Sequence, residues 1–300
     1  MMNTILTTQD LTKKYGDKIA AGNINIHIRE GEIYGLIGRN GAGKTTIMRM
    51  ISGLSTPTSG SYRISDEHSR GIGVLIESPG VYQNRSAFDN LKIKCIAMGC
   101  YSKEYVERLL KTVGLMDTGK KKVGSFSLGM RQRLGIALAL AGDPKLIILD
   151  EPINGLDPQG IAEVRETLEK LRDEKGITVM VSSHILEELG KVADSFGIIN
   201  NGELIQELTR EELDRRCGQY ITVNTDDNEK AIEIIRSLGI ENAVLSGNKI
   251  RIDDHLDQTA NINKALVTAG LAVDEIHTTN ISLEDYYLSL TGGKNDDQLN

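Results

Sequence analysis

The fold is decided by one stretch of the chain, residues 33–46, which reads IYGLIGRNGAGKTT. Residues 33–37 predict an apolar strand, and residues 46–51 predict a helix. Between them runs the spacing G-x4-G-K-T, from Gly38 to Thr45. Glycines let consecutive backbone N–H groups curl around phosphate oxygens, and the positive end of the following helix adds to this attraction. Strand, loop and helix together predict a phosphate-binding loop.

Two side chains of this loop have predicted roles in nucleotide chemistry. Lys44 is expected to act in catalysis by reaching the β- and γ-phosphates, and the Thr45 hydroxyl is expected to ligate Mg²⁺. The alternative is a glycine-rich turn that binds no ligand. The residues predicted to bind the nucleotide are Gly38, Asn40, Gly41, Ala42, Gly43, Lys44, Thr45 and Thr46.

An acidic pair, Asp150 and Glu151, follows the apolar run LIIL at residues 146–149. Such a run predicts a buried strand, and open α/β sheets bind ligands at the carboxyl ends of their strands. Asp150 suits Mg²⁺ coordination, directly or through water, and Glu151 suits the base that polarises an attacking water. An apolar run that ends in acids is often only structural, so this prediction depends on the nearby phosphate loop.

His184 follows another predicted strand, residues 178–181. At the same sheet edge it could donate to a γ-phosphate oxygen and keep Glu151 in register with the water. The alternative is a hydrogen-bonded histidine of the surface or core.

A second phosphate-binding edge is predicted in residues 126–133, FSLGMRQR. Ser127 and the N–H group of Gly129 would stand at the N-terminus of the helix that follows, where anions bind. A four-residue spacing of Met130, Leu134, Leu138 and Gly142 continues that helix. The alternative is a loop that enters an amphipathic core helix.

The rest of the chain divides into two patterns. Residues 1–208 alternate short apolar runs with helical patterns, which predicts an α/β domain with a largely parallel sheet. Near its start, Ile24, Ile26 and Ile28 predict one half-exposed antiparallel strand, and Asn201-Gly202 predicts a hairpin.

A helix-like connector, residues 209–218, leads to a smaller unit at 219–292. The order β-α-β-β-α-β in that unit predicts a small α+β domain of the split β-α-β, ferredoxin-like type. Three roles remain possible for this domain: regulation, contact within a dimer, or packing that stabilises the chain. Residues 293–300 predict a disordered tail.

Composition excludes several classes of protein. The chain has 35 Lys and Arg against 42 Asp and Glu, a net charge of −7, which argues against coating nucleic acid or anionic lipid. No stretch approaches the roughly 20 apolar residues of a membrane span, and the start lacks a signal-peptide pattern.

Cys95, Cys100 and Cys217 match no metal or redox spacing and are interpreted as idle thiols of a reducing cytoplasm. The lysines at 120–122 predict a solvated run, the alternative being a contact with lipid or a partner.

In this order, the segments resemble the ATP-binding subunits of ABC transporters across residues 3–210. Residues 127–130, SLGM, are similar to the signature of that family, from which Leu128 and Met130 depart. Residues 154–157, NGLD, are similar to the loop that follows the acidic pair.

The resemblance implies an ATPase with ATP and Mg²⁺ at its site. It implies a P-loop NTPase domain with a mixed sheet, a helical subdomain and an antiparallel β subdomain. Tyr15 falls where an aromatic ring stacks on adenine. Two such subunits, identical or paralogous, would dimerise head to tail, with each signature closing on the γ-phosphate at the other's Lys44 loop. A separate permease would hold the dimer at the cytoplasmic face of the membrane, and no nucleic-acid partner is expected.

Glu77 stands where the family usually has glutamine. It would offer Mg²⁺ a charged oxygen instead of a neutral one, and residues 78–90 after it would couple to the permease. With the altered signature and the C-terminal domain, Glu77 is similar to the subfamily that exports bacitracin-like or lantibiotic peptides for self-protection. The alternative is a neutral substitution in a generic exporter.

Two rival functions are weighed against export. A soluble ABC-type ATPase acting on ribosomes or DNA usually has two cassettes or a long coiled coil, whereas this chain has one phosphate loop and no sustained heptad. A regulatory module without catalysis is disfavoured by the intact set of Lys44, Asp150, Glu151 and His184.

Overall fold

The computed structural model describes residues 3–65 and 71–292. The described residues form two compact units, of which the first ends at Arg210 and the second begins at Glu211. The observed division therefore falls two residues after the predicted domain end at 208. The predicted tail, 293–300, lies outside the described residues.

Strands and helices alternate along much of the chain. The strands are β1 Thr4–Tyr15, β2 Lys18–Ile24, β3 His27–Arg29, β4 Ile33–Ile37, β5 Ser59–Ile64, β6 Ile72–Leu75, β7 Leu146–Leu149, β8 Thr178–Ser183, β9 Ser195–Asn200, β10 Glu203–Thr209, β11 Gly218–Thr225, β12 Ala243–Ser246, β13 Lys249–Ile252 and β14 Val273–Ile281. The α-helices are α1 Lys44–Ile51, α2 Ala87–Ala97, α3 Lys103–Thr112, α4 Leu128–Ala139, α5 Pro158–Asp173, α6 Leu186–Val192, α7 Arg210–Arg216, α8 Asn228–Ser237, α9 Thr259–Thr268 and α10 Leu283–Thr291.

A six-stranded sheet of order β10-β9-β4-β8-β7-β6 carries the predicted site. Its strands pair in parallel except β10, which forms the predicted hairpin with β9 around Asn201-Gly202. Every residue of β4, β7 and β8 is buried. The carboxyl ends of these three adjacent strands therefore bring the phosphate loop, the acidic pair and His184 to one edge, which confirms the predicted α/β class.

A second, antiparallel sheet has the order β2-β1-β3, with β5 also paired to β1. The prediction of one half-exposed strand through Ile24, Ile26 and Ile28 is wrong, because β2 ends at Ile24, β3 holds Ile28, and all three side chains are fully buried. Thr8 of β1 forms hydrogen bonds to the backbone on both sides of the break between β2 and β3. Its hydroxyl donates to the Ile24 carbonyl at 2.8 Å and accepts from the Ile26 N–H at 2.7 Å, replacing a backbone partner.

Glu207 of β10 joins the strands of both sheets in the first unit. Its Oε1 accepts from the His27 N–H and from the Tyr34 hydroxyl, each at 2.9 Å, and its Oε2 lies 2.9 Å from His27 Nδ1. Tyr34 is buried, and this burial together with the Glu207 carboxylate raises the pKa of its hydroxyl well above the usual value. The hydroxyl therefore stays a donor that ties β4 to β10.

Helices α2, α3 and α4 pack on one another beside the six-stranded sheet. Helix α2 begins in a capping box, in which the Ser86 hydroxyl accepts from the Asp89 N–H and the Asp89 carboxylate accepts from Ser86. Helix α4 ends at Ala139, so the predicted continuation to Gly142 is wrong, since the chain turns at Gly142 with φ +92°. The lysines at 120–122 are exposed, which agrees with a solvated run.

The second unit follows the predicted order β-α-β-β-α-β. Its sheet has the order β12-β13-β11-β14, with all neighbours antiparallel and with α8 and α9 packed against it. The predicted last strand, 271–276, is misplaced, because β14 begins at Val273 and continues to Ile281. The polar C-terminal end of β14 also pairs with β11, and the last pair of residues is Gly218 with Ile281. Backbone hydrogen bonds to β11 therefore extend the strand through residues whose polar side chains do not predict one.

In the ranges 3–65 and 71–292, no helix is both long enough and apolar enough to span a bilayer. The cysteines are free thiols, with Cys95 buried and the other two partly exposed.

Candidate active site

The phosphate loop lies between β4 and α1, and its backbone closely approaches two other segments. Helix α1 begins at Lys44, with Gly43 as its N-cap at φ +109°. A Cβ atom on Gly43 would stand 2.6 Å from the Ala20 carbonyl oxygen, and one on Gly38 would stand 2.7 Å from that of Ile199. Only glycine fits at these two positions. The first turn of a helix has no internal acceptor for its N–H groups, and Gly43 has no side chain to supply one, so these groups can bind an anion.

Lys44 is buried with its ammonium group among oxygen atoms. Nζ donates to the carbonyl oxygens of Gly38 at 2.6 Å and Arg39 at 3.3 Å, and it lies 3.1 Å from Glu151 Oε1. A buried ammonium needs such partners, because removing a charge from water is costly. Phosphate oxygens are acceptors of the same kind and could take the place of these partners. The role of Lys44 at the β- and γ-phosphates stays a prediction.

Thr45 and Asp150, two of the predicted metal residues, are in direct contact. The Thr45 hydroxyl donates to Asp150 Oδ2 at 2.7 Å, and the Ser182 hydroxyl donates to Asp150 Oδ1 at 2.6 Å. Asp150 and Ser182 are both buried. A hydroxyl and a carboxylate are hard oxygen ligands of the type that Mg²⁺ prefers.

A magnesium ion at this pair would need further ligands. Within the described part of the chain, no group of three or more His, Cys, Asp or Glu side chains is placed to hold a metal. Protein sites for Mg²⁺ usually supply one or two ligands and leave the others to phosphate oxygens and water. The residues present therefore fit Mg²⁺ bound together with a nucleotide.

Glu151 is held in one orientation by contacts at both ends. Its backbone has φ +50°, an unusual conformation for a non-glycine residue, and its N–H donates to the Ser182 hydroxyl at 2.9 Å. Its Oε2 lies 2.8 Å from His184 Nδ1, while its Oε1 faces Lys44. Backbone strain of this kind is found at functional sites, where the surroundings stabilise it. The carboxylate is thus fixed between two basic side chains.

A cavity of about 470 Å³ opens at the phosphate loop. Most of its lining belongs to the predicted loop, and Glu151 of the acidic pair also contributes. Its lining residues are Lys18, Ile19, Ala20, Asn40, Gly41, Ala42, Gly43, Lys44, Thr45, Thr46, Glu151, Asn201 and Gly202.

Sequence reasoning missed one wall of this cavity and one of its supporting residues. The wall consists of residues 18–20 of β2 and the Asn201-Gly202 turn, which closes on the loop through a bond from the Gly202 N–H to the Ala42 carbonyl at 2.9 Å. These residues have no distinctive chemistry and reach the loop only through folding. The sequence places Ser182 near His184 without indicating a role, although its hydroxyl orients both members of the acidic pair.

Tyr15 lies at the end of β1, where it pairs with Lys18 of the cavity wall. Its ring is 53% exposed, and Lys13 Nζ stands 5.2 Å from the ring centroid. The described lining of the phosphate-loop cavity does not include Tyr15. Its stacking on adenine stays a prediction.

Glu77 is not brought to the predicted metal pair. It follows β6 with φ +63°, and its carboxylate forms an ion pair with Arg49 of α1. The Leu75 carbonyl, two residues earlier, accepts from the Asp150 N–H at 2.8 Å, so the backbone of this segment lies beside the pair. Metal ligation by Glu77 stays a prediction.

Ser127 and Gly129 stand at the N-terminus of α4, as predicted. The exposed Ser127 is the N-cap and accepts from the Met130 N–H at 3.2 Å. A Cβ on Gly129 would lie 3.6 Å from Gly160 Cα, so α4 packs against the start of α5. The described lining of the phosphate-loop cavity includes neither Ser127 nor Gly129. Their phosphate-binding role stays a prediction that needs a second nucleotide site.

Comparison with known proteins gives consistent matches. Residues 21–154 match the model of the ABC transporter family. The chain is 43% identical to the bacitracin transport ATP-binding protein BcrA of Bacillus licheniformis, a match that covers 97% of this chain and 99% of that one. It is 48% identical over 208 residues to the lantibiotic transport ATP-binding protein SrtF of Streptococcus pyogenes, which covers 68% of this chain and 90% of that one.

Solved structures resemble the greater part of this chain. An ATP-binding subunit of an ABC transporter superposes with a TM-score of 0.62 at 30% identity, covering 71% of this chain and 92% of that one. A dimeric ATP-binding cassette in a post-hydrolysis state, bound to ADP and Pi, superposes with a TM-score of 0.61 at 26% identity, covering 69% and 99%.

Proposed function

Because this chain belongs to the ATP-binding subunits of the ABC transporter family, we propose that it powers a separate membrane permease that exports peptide antibiotics of the bacitracin or lantibiotic type. One observation carries the ATPase part of the proposal. Lys44, Glu151 and His184 form a continuous series of polar contacts beside the Thr45–Asp150 pair, at the mouth of the phosphate loop.

Each of these residues then has a task in ATP hydrolysis. Lys44 and the N–H groups of residues 43–46 neutralise phosphate charge. Glu151 accepts a proton from the attacking water, and His184 keeps the Glu151 carboxylate oriented through its Nδ1–H. Donation to the γ-phosphate through Nε2 as well would need the imidazolium form of His184, in which both ring nitrogens carry hydrogen. Thr45 and Asp150 would hold Mg²⁺, which supplies charge neutralisation on the phosphates.

The signature segment completes the site only in a dimer. Ser127 caps the N-terminus of α4, and the described lining of the phosphate-loop cavity does not include it. Head-to-tail pairing with a second copy, or with a paralogous subunit, would bring this positive end to the γ-phosphate bound at the partner's loop. The dimeric cassette that resembles this chain supports dimerisation.

An apolar groove is the proposed contact with the permease. It has a volume of about 470 Å³ and lies between the end of β6 and α2. Leu54 and Tyr82 on its rim are 65% and 58% exposed, which is high for such large side chains. Large exposed apolar groups in one groove fit the amphipathic helix of a partner. Docking there would hold the subunit on the cytoplasmic face of the membrane.

The proposed cargo rests on the names of relatives. The matches to bacitracin transport proteins cover 97–98% of this chain, including the second unit. Transport of a peptide antibiotic is what these names share with that of the lantibiotic relative. Export for self-protection is the direction and purpose that we propose for this chain.

The proposal is tested by trapping the complex. Tagged Glu151→Gln should bind Mg·ATP without hydrolysing it, so it should recover a polytopic membrane protein from detergent-solubilised membranes in the presence of Mg·ATP. Lys44→Ala is the matched control and should recover much less. Recovery of ribosomes or DNA without a membrane protein would overturn the exporter proposal in favour of a soluble ATPase.

A second test concerns the cargo. Cells that express the chain with the recovered permease should tolerate more bacitracin or lantibiotic than cells that express the Glu151→Gln variant with it. Equal susceptibility to every peptide antibiotic would leave an exporter of another substrate class and would refute the peptide assignment.

A further inference from the structure

The charge at position 77 has a specific partner in this chain. Glu77 forms an ion pair with Arg49, and the two side chains are 63% and 40% exposed. A glutamine at position 77 could not form an ion pair with this guanidinium. The pair is therefore a consequence of the glutamate.

Arg49 and the metal pair are connected through one helix. Arg49 lies four residues after Thr45 on α1, which places the two side chains on the same face, one turn apart. Glu77 follows the strand whose last residue, Leu75, is bonded to the Asp150 N–H. The Glu77 side chain thus contacts Arg49, while the backbone two residues before it is bonded to Asp150 of the metal pair. A shift of the segment after β6 could therefore exchange the Arg49 guanidinium for an ion held by Thr45 and Asp150.

The two partners differ in strength. An exposed ion pair is weak, because water screens both charges and two long side chains must be ordered. A divalent ion beside the Asp150 carboxylate has twice the charge and lies in a buried setting, where attraction is stronger. A bound Mg²⁺ can therefore compete with Arg49 for the Glu77 carboxylate.

We propose that Arg49 holds Glu77 in a resting position and yields it to Mg²⁺ bound with ATP at Thr45 and Asp150. Arg49 then sets the Mg²⁺ concentration at which the segment after Glu77 responds to nucleotide. This inference rests on the proposed ATPase function and adds a positioning residue to it.

The test uses a fluorescent reporter placed next to Glu77. The chain has no tryptophan, so Ser78→Trp gives a single indole at an exposed position. The background is Glu151→Gln, which prevents turnover. Mg²⁺ is titrated at a fixed ATP concentration, and the half-saturating Mg²⁺ concentration of the tryptophan change is measured.

The expected result is a fall in that concentration when Arg49→Gln is added, by up to about five-fold, the range that corresponds to an exposed ion pair. In a Glu77→Gln background the same substitution should have no effect, because there is no carboxylate to release. Arg63→Gln removes an exposed arginine of β5 and is the control for overall charge.

Three outcomes overturn the inference. One is an unchanged half-saturation in Arg49→Gln. Another is an equal shift in the Glu77→Gln background, which would show a general charge effect of Arg49. The third is a lack of any response to Mg·ATP in every variant, which would contradict the proposed function as well. A response that does not depend on Arg49 contradicts this inference alone.

Discussion

Ser182 provides the sharpest test of how the acidic pair is held. It is fully buried, donates to Asp150 Oδ1 at 2.6 Å and accepts from the Glu151 N–H at 2.9 Å. Ser182→Ala removes both bonds and changes the buried volume little. We expect loss of stability and loss of turnover together, because the same hydroxyl supports the fold and orients the base.

The size of the effect follows from the two bonds. A hydrogen bond to a carboxylate contributes about 1.5–3 kcal/mol, and a neutral one contributes about 0.5–1.5 kcal/mol. Ser182→Ala should therefore lower the free energy of unfolding by about 2–4 kcal/mol. Displacement of Asp150 and Glu151 should also lower kcat by about 10- to 100-fold, since small misplacements of catalytic groups are costly.

Ser183→Ala is the matched control. Ser183 is equally buried, but its hydroxyl bonds only within the next turn, where it accepts from the Ile185 N–H at 2.9 Å and lies 3.4 Å from the Ile185 carbonyl. That variant should lose about 1 kcal/mol and retain most of its turnover. The measurements are urea unfolding followed by circular dichroism and phosphate release at saturating Mg·ATP. Equal losses of stability and turnover in the two variants would refute the role assigned to Ser182.

Further substitutions and one reagent test other parts of the site and core. Glu151→Gln should bind ATP but lose about 10²- to 10⁴-fold in phosphate release, and near-normal release would contradict its role as the base. Lys44→Ala should lose ATP affinity or turnover, so undiminished values of both would show that the loop works without it. Glu77→Ala should raise the Mg²⁺ concentration for half-maximal ATPase, and an unchanged curve would make Glu77 a coupling residue or a spacer. Burial raises the pKa of the Cys95 thiol to about 12, so only about one molecule in ten thousand has the reactive thiolate at pH 8, and the fraction rises about ten-fold per pH unit above that. Native protein should therefore leave Cys95 unreacted with a disulfide reagent at pH 8, and rapid titration of all three thiols would contradict its burial.

The parts of the fold that sequence reasoning predicts correctly are those in which local pattern and tertiary structure agree. Strand β4 has the predicted bounds, because an apolar run followed by a glycine-rich spacing has few alternative structures. The hairpin at Asn201-Gly202 is of the same kind, because its turn residues specify the geometry.

The errors occur where distant contacts decide the structure. The gap between β2 and β3 is stabilised by Thr8, a residue far away in sequence. Strand β14 extends through polar residues because β11 lies beside it. The cavity wall at residues 18–20 and the Arg49 partner of Glu77 likewise depend on long-range packing, which local periodicity does not report.

The contacts of Glu207 also affect where a gene for a two-unit chain of this kind can be cut and rejoined. Its bonds to His27 and Tyr34 use the last strand of the first unit to close that unit, three residues before the division at Arg210. The Streptococcus pyogenes relative matches 68% of this chain but 90% of its own length, so its match corresponds in extent to the first unit. A recombination breakpoint just after Arg210 leaves the Glu207 contacts intact. Gene fusion at that point can therefore add or remove the C-terminal unit while the inherited ATPase unit keeps its closing contacts.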